Sequence, residues 1–166
     1  EYAFREGITW SAFSSKGATF RYSSSQFLFD SKGSKGFCNK EYLLYILSFL
    51  NSSVGQQYLS YFAGAKDKKP GHIISLPFRE DPSKTEAIDI LAKRCIDISK
   101  QDWDDYETSW EFKSHPLVLL NNESLLYDAY QKMAAIKGQF FDEIRESEEK
   151  INKLFAEIFD VEDEVE

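Results

Sequence analysis

The sequence contains few of the residues that build metal and redox sites. It has two histidines, His72 and His115, and two cysteines, Cys38 and Cys95, among 166 residues. Neither histidine has a second histidine, cysteine or carboxylate at ligand spacing, and the cysteines are not spaced as a metal or redox pair. We therefore expect no metal site and two free thiols, as is usual for a cytoplasmic protein.

Long hydrophobic runs and phosphate-binding glycine motifs are also missing. The most apolar stretch, residues 39–62, is interrupted by polar residues such as Ser48 and Asn51, whereas a membrane span needs about 20 apolar residues. Gly33 and Gly36 precede a predicted helix but lack the Lys-Ser/Thr ending of a P-loop and the dinucleotide-binding pattern. The sequence shows no signal peptide. We expect a cytoplasmic protein with no membrane association and no bound cofactor.

Charge is distributed unevenly along the chain, whose formal net charge is −8. Residues 1–80 contain ten Lys and Arg and six Asp and Glu. Residues 81–166 contain ten Lys and Arg and 22 Asp and Glu. The first half can face a phosphate backbone, and the second half would be repelled by it. We predict an α/β core in residues 1–80 and a helical extension in residues 81–166. Because the first residue is Glu1 rather than methionine, we expect the chain to be a piece of a longer polypeptide.

Hydrophobic periodicity predicts an α+β fold built around one central helix. Residues 8–13 and 19–22 alternate apolar and polar side chains, and the short apolar segment 26–30 follows a serine-rich turn, which together indicate a small, mostly antiparallel sheet. Residues 39–62 carry apolar side chains at helical spacing, with Asn39 as the expected N-cap. The sheet is expected to pack on this helix.

The remaining sequence predicts an edge strand and two further helices. Residues 73–78 form a short apolar segment that ends at a proline, which favours the edge of a sheet. Asp81 and the proline after it are a typical helix start, and the apolar stripe that follows continues to about Lys100. A long coiled-coil-like helix is expected from Asn121 or Asn122 to the acidic C-terminal tail.

Basic and hydroxyl side chains concentrate on the small-residue loops of the first half. Lysine and arginine attach to phosphates, and serine can hydrogen-bond to phosphates or to base edges. The candidate DNA-contacting residues are Ser14, Ser15, Lys16, Arg21, Lys32, Ser34, Lys35, Lys66, Lys68 and Lys69. Any one of these lysines could instead be a solubilising surface residue, but the whole set, with the charge asymmetry, favours an anion-facing surface.

Several blocks of sequence follow one another in a specific order. They are Glu6-Gly-Ile-Thr-Trp-Ser11, Arg21-Tyr-Ser23, Phe27-Leu-Phe-Asp30, Leu44-Tyr-Ile-Leu-Ser-Phe-Leu-Asn-Ser52, Ile98-Ser-Lys-Gln-Asp-Trp-Asp-Asp105, Glu107-Thr-Ser-Trp-Glu-Phe112, His115-Pro116 and Glu148-Glu-Lys-Ile-Asn-Lys-Leu-Phe155. This order resembles the C-terminal region of adenine-specific DNA methyltransferases, in particular the PglX type of the BREX phage-defence systems, which is related to fused type II restriction-modification enzymes. The resemblance runs almost from end to end.

The resemblance implies a target-recognition region, which reads the DNA sequence. A separate N-terminal methyltransferase domain would bind S-adenosylmethionine and transfer the methyl group. The family's Asn-Pro-Pro-Tyr catalytic motif and its cofactor motif are absent from the sequence, so this chain alone is expected to be inactive and to bind no cofactor. The implied partners are double-stranded DNA, the methyltransferase domain and other defence-system proteins. One departure lies after the central helix, where only Gly71 and Ile73 keep the family's usual pattern.

A second hypothesis assigns the chain to protein binding. In that case the acidic helices from Glu86 to Glu166 would dock on the methyltransferase core or on a defence-system partner, while other regions contact DNA. An independent nuclease or hydrolase is disfavoured because the sequence offers no group of catalytic side chains that could converge.

Overall fold

A three-stranded antiparallel sheet begins the fold. The computed structural model describes residues 2–14, 17–63, 67–120 and 125–164. The strands are β1 (Gly7–Ser11), β2 (Arg21–Ser23) and β3 (Gly33–Gly36), in the order β2-β1-β3. β1 is central, and its alternation places the side chains of Ile8 and Trp10 in the core. The predicted α+β class and its small antiparallel sheet are confirmed.

The third strand differs from the predicted one. Residues 26–30, which lie in the described range 17–63, form no strand, and β3 pairs with β1 in their place. The prediction was wrong because the glycines and lysine of β3 have low β-propensity, and its pairing depends on a tertiary contact with β1. A Cβ atom on Gly7 would lie 2.4 Å from the carbonyl oxygen of Gly36, so glycine at position 7 permits this close approach.

The central helix is present but is divided in two at Ser52. A 3₁₀ turn (Lys40–Tyr42) leads into α1 (Leu43–Asn51), and α2 (Ser53–Phe62) follows. Ser52 has an extended backbone, and its hydroxyl oxygen accepts the N–H of Gly55 as the N-cap of α2. The predicted N-cap, Asn39, precedes the 3₁₀ turn, but its side chain makes no capping hydrogen bond within the described range 17–63.

α1 is the centre of the first of two compact units, which comprises Glu1–Ala92 and Lys150–Glu166. The side chains of Tyr45 and Phe49 pack against Phe155, with ring centroids 5.2 and 5.6 Å apart. Each buried side chain of this size stabilises the fold by about 1.5 to 3 kcal/mol. On the sheet side, the amide of Asn51 accepts the backbone N–H of Phe20 and donates to its carbonyl, at 3.0 and 2.9 Å. The sheet is therefore held directly on the central helix, as predicted.

Four further helices follow α2 in the described part of the chain. They are α3 (Pro70–Ile74), α4 (Pro82–Asp104), α5 (Pro116–Leu119) and α6 (Leu126–Phe159). The edge strand predicted at residues 73–78 was wrong, because the proline at position 70 begins a short helix. The long C-terminal helix is confirmed, and its predicted start at residues 121–122 lies outside the described residues. Within the described ranges, no helix is both long and apolar enough to span a bilayer.

The second compact unit comprises Lys93–Glu149 and contains parts of α4 and α6. Nζ of Lys137 pairs with Oδ1 of Asp102 at 2.7 Å and also with Asp105. Burial alone would lower the pKa of Lys137, but the two aspartates outweigh that effect and raise it. The predicted functional boundary between residues 80 and 81 stays a prediction.

Candidate nucleic-acid interface

Three loops that are distant in sequence meet at Ala12, directly after β1. The N–H of Ala12 donates to the carbonyl of Lys32 at 2.9 Å, and the carbonyl of Ala12 accepts the N–H of Lys68 at 2.8 Å. An isolated antiparallel bridge also pairs Phe13 with Asp67. The fold therefore brings together three of the segments that contain predicted DNA-contacting residues, around residues 12–14, 31–36 and 67–69.

Side chains of β1 fix two of these loops to the sheet. Nε1 of Trp10 donates to the carbonyl of Lys68 at 2.8 Å, in a buried hydrogen bond. The hydroxyl of Thr9 donates to the carbonyl of Ser34 at 2.9 Å. Because buried polar groups are costly to leave unpaired, these bonds hold the loop backbones in defined positions.

The segment 31–36, which runs from a turn into β3, is also held by that turn. Oδ1 of Asp30 accepts the backbone N–H groups of Gly33 and Lys32, both at 2.7 Å. These hydrogen bonds, that of Gly33 first, lower the pKa of the Asp30 carboxyl. The turn leaves the side chain of Lys32 exposed to solvent.

Three of the predicted contact residues are exposed cations. Arg21 lies on the edge strand β2, opposite Thr9 of β1, and Lys32 follows the Asp30 turn. Lys69 is exposed, and its Nζ lies 3.9 Å from Oδ2 of Asp67, which is a weak surface pairing. These three side chains can reach a phosphate without a change in the core.

Three other predicted residues are buried. Lys35 is only 8% exposed, and its Nζ donates to the carbonyls of Ser24 at 2.9 Å and Phe27 at 3.3 Å. Burial lowers the pKa of its amino group. Lys68 is 5% exposed and Ser34 is 7% exposed. Because these side chains face the protein interior, they are not available at the surface for DNA.

The four remaining predicted contact residues are Ser14, Ser15, Lys16 and Lys66. Ser14 is half-buried. Ser15, Lys16 and Lys66 lie outside the described residues, so their predicted contacts stay predictions.

A concave surface at the start of β1, at the opposite end of the strand from Ala12, contains polar residues that were not among the predicted contact residues. Arg5 and Glu6 precede β1, Tyr22 lies in β2, and Asn39 and Lys40 lie where β3 leads into the helices. Tyr22 donates from Oη to Oε2 of Glu6 at 2.9 Å, and Nζ of Lys40 lies 3.4 Å from Oε1 of Glu6. Their separation in sequence gave no spacing signal, because β-strand pairing alone brings them together.

The second unit carries an acidic segment with exposed aromatic side chains. The side chains of Trp103 and Tyr106 are more than half exposed, and that of Trp110 is 95% exposed. They lie among acidic residues at the end of α4 and in the connector that follows it. This composition suits a protein surface better than a phosphate backbone.

No His, Cys, Asp and Glu grouping suitable for a metal ion occurs within the described parts of the chain. The two cysteines are free and half-buried, and burial raises the pKa of both thiols.

Comparison with known proteins gives a consistent assignment. No protein-family model matches the chain. The adenine-specific methyltransferase PglX of Lacticaseibacillus casei (strain Zhang) is 33% identical over 172 aligned positions, which include 99% of this chain. The chain is homologous to a segment of the PglX-type adenine-specific methyltransferases. The adenine-specific methyltransferase BrxX of Escherichia coli O9:H4 (strain HS) is 32% identical over 158 positions, or 93% of this chain.

The family resemblance predicted from the sequence blocks is thus confirmed. The chain spans only 14% of the PglX relative and 13% of the BrxX relative.

Proposed function

We propose that this chain recognises DNA as the target-recognition part of an adenine-specific DNA methyltransferase in a restriction-modification or phage-defence system. Two observations support the proposal. The chain is homologous to a segment of adenine-specific methyltransferases. The fold also brings the lysine-containing segments 31–36 and 67–69 together at Ala12, and this is the observation on which the proposal chiefly rests.

In this proposal the exposed cations attach the chain to the DNA backbone. Arg21, Lys32 and Lys69 neutralise phosphates, and each neutralised phosphate releases counterions and makes the affinity more salt-dependent. Ser14 adds a hydroxyl that can bond to phosphate, as can the predicted residues Ser15, Lys16 and Lys66. The buried side chains of Lys35, Lys68 and Ser34 support the loops from the protein interior and make no DNA contact.

The methyl transfer itself is assigned to another part of the polypeptide. A methyltransferase domain would bind S-adenosylmethionine and carry the reacting groups, while this chain selects the site on double-stranded DNA. We therefore propose that the isolated chain binds DNA in the cytoplasm without methylating it, and that the methyltransferase domain and other defence-system proteins are its partners.

The test uses fluorescence anisotropy with a labelled duplex at several salt concentrations. A variant with Arg21→Glu, Lys32→Glu and Lys69→Glu should bind at least tenfold more weakly at low salt. The slope of log affinity against log salt should become shallower by about 3, since each lost phosphate contact removes about 0.9. The matched control changes three exposed lysines elsewhere, Lys93→Glu, Lys113→Glu and Lys153→Glu, which gives the same net charge. Equal losses of DNA affinity in both variants would show that the effect comes from net charge alone. That result would contradict the assigned surface.

The second candidate function is protein docking through the second unit. It is favoured by the exposure of Trp110 at 95%, together with Trp103 and Tyr106, in an acidic segment. Exposed aromatic side chains are enriched where proteins bind one another. Calorimetric titration of the chain with the methyltransferase domain tests this candidate. Trp103→Ser with Trp110→Ser should weaken binding at least tenfold, whereas the DNA affinity should be unchanged.

A further inference from the structure

In the second unit, one side of α6 is covered and another carries an apolar stripe that is open to solvent. The covered side includes Ala129, which is 5% exposed, and Ser147, which is 7% exposed. The other side is named here the exposed stripe, and its members are Tyr127, Tyr130, Ala134, Gly138 and Phe141. At about 100° per residue these five positions fall within an arc of about 80°, so they follow one side of the helix.

The exposed stripe is continuous and long. The side chains of Tyr127, Tyr130 and Phe141 are 67%, 52% and 68% exposed, and Ala134 between them is exposed as well. Single exposed apolar residues are common on protein surfaces, whereas a contiguous row of them marks an interaction site. The row covers 14 residues of helix, or about 21 Å, and its shape suits the apolar side of another helix.

Small residues lie in the middle of the exposed stripe, with aromatic residues at both ends. Ala134 and Gly138 are one helical turn apart. In the described part of the chain, a Cβ atom on Gly138 would meet nothing within 4 Å, so the packing of the unit does not require glycine there. Glycine also lowers the stability of a helix interior. Its missing side chain would instead allow the backbone of a second helix to approach closely.

The borders of the exposed stripe are acidic. Arg145 continues the line of the stripe, but Asp142 and Glu149 pair with it at 3.3 and 3.8 Å, so these three residues carry a net negative charge. On the other border, the ammonium of Lys137 is paired with two aspartates. Residues 93–149 contain seven Lys and Arg and 13 Asp and Glu. A second copy of the chain would add another acidic border, whereas a partner with basic borders is complementary in charge.

We propose that the exposed stripe binds an amphipathic helix with lysine or arginine beside its apolar side, and that this helix belongs to another part of a PglX-type methyltransferase polypeptide. The chain spans 14% of the PglX relative, so most of such a protein lies outside this segment. The inference rests on the second candidate function, protein docking through the second unit, and not on DNA recognition. It assigns the docking to α6 rather than to Trp103 and Trp110.

The test is site-specific photocrosslinking in a full-length protein. The probe is the PglX of Lacticaseibacillus casei with its matched segment replaced by this chain, purified with p-benzoylphenylalanine at one position. Phe141→p-benzoylphenylalanine should crosslink, within the same polypeptide, to a helix that carries Lys or Arg beside its apolar side. Gln139→p-benzoylphenylalanine is the matched control, because position 139 is exposed but lies about 160° away around the helix. Mixing isotope-labelled and unlabelled protein distinguishes crosslinks within one polypeptide from crosslinks between two.

Gly138→Ala separates a docking role from a structural one. The added methyl group favours the helix and meets no neighbour, so the Tm of the isolated chain should rise. The same methyl group would hold the partner helix away, so the crosslink yield at position 141 should fall at least fivefold. Gln139→Ala, on another side of α6, should leave that yield unchanged. An unchanged yield for Gly138→Ala would overturn the inference.

The charge of the partner is tested at the border. Asp142→Lys with Glu149→Lys reverses the border beside Arg145, so the crosslink yield should fall at least fivefold at low salt and recover in part at high salt. A yield that does not change would contradict a basic partner. Thermal unfolding of each variant checks that a lost crosslink is not a loss of folding.

The outcomes distinguish this inference from the functions proposed above. Crosslinks from position 141 only to a second copy, only to a segment without cations, or at no higher yield than from position 139 would overturn it. These results would leave the DNA proposal standing, because the anisotropy titrations test a different unit. If position 141 crosslinks as expected but Trp103→Ser with Trp110→Ser leaves binding of the methyltransferase domain unchanged, only the assignment of the two tryptophans is wrong.

Discussion

The indole of Trp10 donates a buried hydrogen bond from Nε1 to the carbonyl of Lys68, at 2.8 Å. The bond joins the central strand β1 to the loop that follows α2, across 58 positions of sequence. It fixes the position of that loop relative to the sheet and so determines where the side chain of Lys69 reaches the surface. The stability of the fold and the geometry of the proposed DNA surface are therefore coupled at this contact.

Replacing Trp10 with phenylalanine tests that coupling. Trp10→Phe keeps most of the apolar ring but removes the donor, so the buried hydrogen bond from the indole to the carbonyl of Lys68 is lost. We expect the free energy of unfolding to fall by about 1 to 3 kcal/mol in urea titrations. Trp110→Phe is the control, because that side chain is 95% exposed, and it should change stability by less than about 0.5 kcal/mol. Equal effects of the two substitutions would show that the hydrogen bond to Lys68 is unimportant.

The corner between α1 and α2 depends on glycine at position 55. A Cβ atom added there would lie 1.9 Å from the carbonyl oxygen of Phe49, which is part of the backbone and has little freedom to move. Gly55→Ala should therefore destabilise the chain by about 2 kcal/mol or more, as measured by chemical unfolding. Gly71→Ala, also in a helix, meets no atom within 4 Å and should be neutral or stabilising by up to about 1 kcal/mol. The prediction is contradicted if Gly55→Ala is tolerated as well as Gly71→Ala.

The Asp30 turn should make stability depend on pH. Backbone N–H groups, that of Gly33 first, lower the pKa of Asp30 in the folded chain. The ionised carboxylate therefore stabilises the fold above its unfolded pKa of about 3.9, and this contribution is lost as the pH falls through the lower folded value. Asp30→Asn should be less stable than the parent at pH 7, and the difference in Tm should shrink towards zero near pH 2. Asp163→Asn, on the acidic tail, controls for the loss of one carboxylate. A Tm difference for Asp30→Asn that is the same at pH 7 and pH 2 would exclude this role.

The sequence predicted the parts of the fold that depend on local periodicity. Leu43, Leu47, Leu50 and Val54 recur at helical spacing and are buried, so the central helical segment was predictable. Its division at Ser52 was not, because the break depends on how closely Gly55 approaches Phe49. The pairing of β3 with β1 was also missed, since glycine and lysine at positions 33–36 carry no strand signal of their own.

The sequence predicted which loops carry positive charge, but not which of their side chains lie at the surface. The excess of lysine and arginine in residues 1–80 identified the loops that meet at Ala12. Sequence gave no indication that Lys35 and Lys68 turn inwards, because lysine is rarely buried and the carbonyls that accept from Lys35 belong to a turn eight or more residues away. The concavity around Glu6 was missed for a similar reason, since Tyr22 and Lys40 reach it only through the folded sheet.

The different positions of Lys32 and Lys35 give the sharpest test of which side chains contact DNA. Lys32 is exposed, so Lys32→Ala should weaken duplex binding severalfold at low salt and change stability by less than about 0.5 kcal/mol. Lys35 is buried and bonded to two carbonyls, so Lys35→Ala should cost about 1 to 2 kcal/mol of stability, because both the packed stem and the hydrogen bonds are lost. Under conditions where both variants are fully folded, Lys35→Ala should bind DNA as the parent does, with the same salt dependence. Anisotropy titrations beside urea unfolding measure both quantities on the same samples. A shallower salt slope for Lys35→Ala than for Lys32→Ala would place Lys35 at the phosphates and require β3 to rearrange on binding.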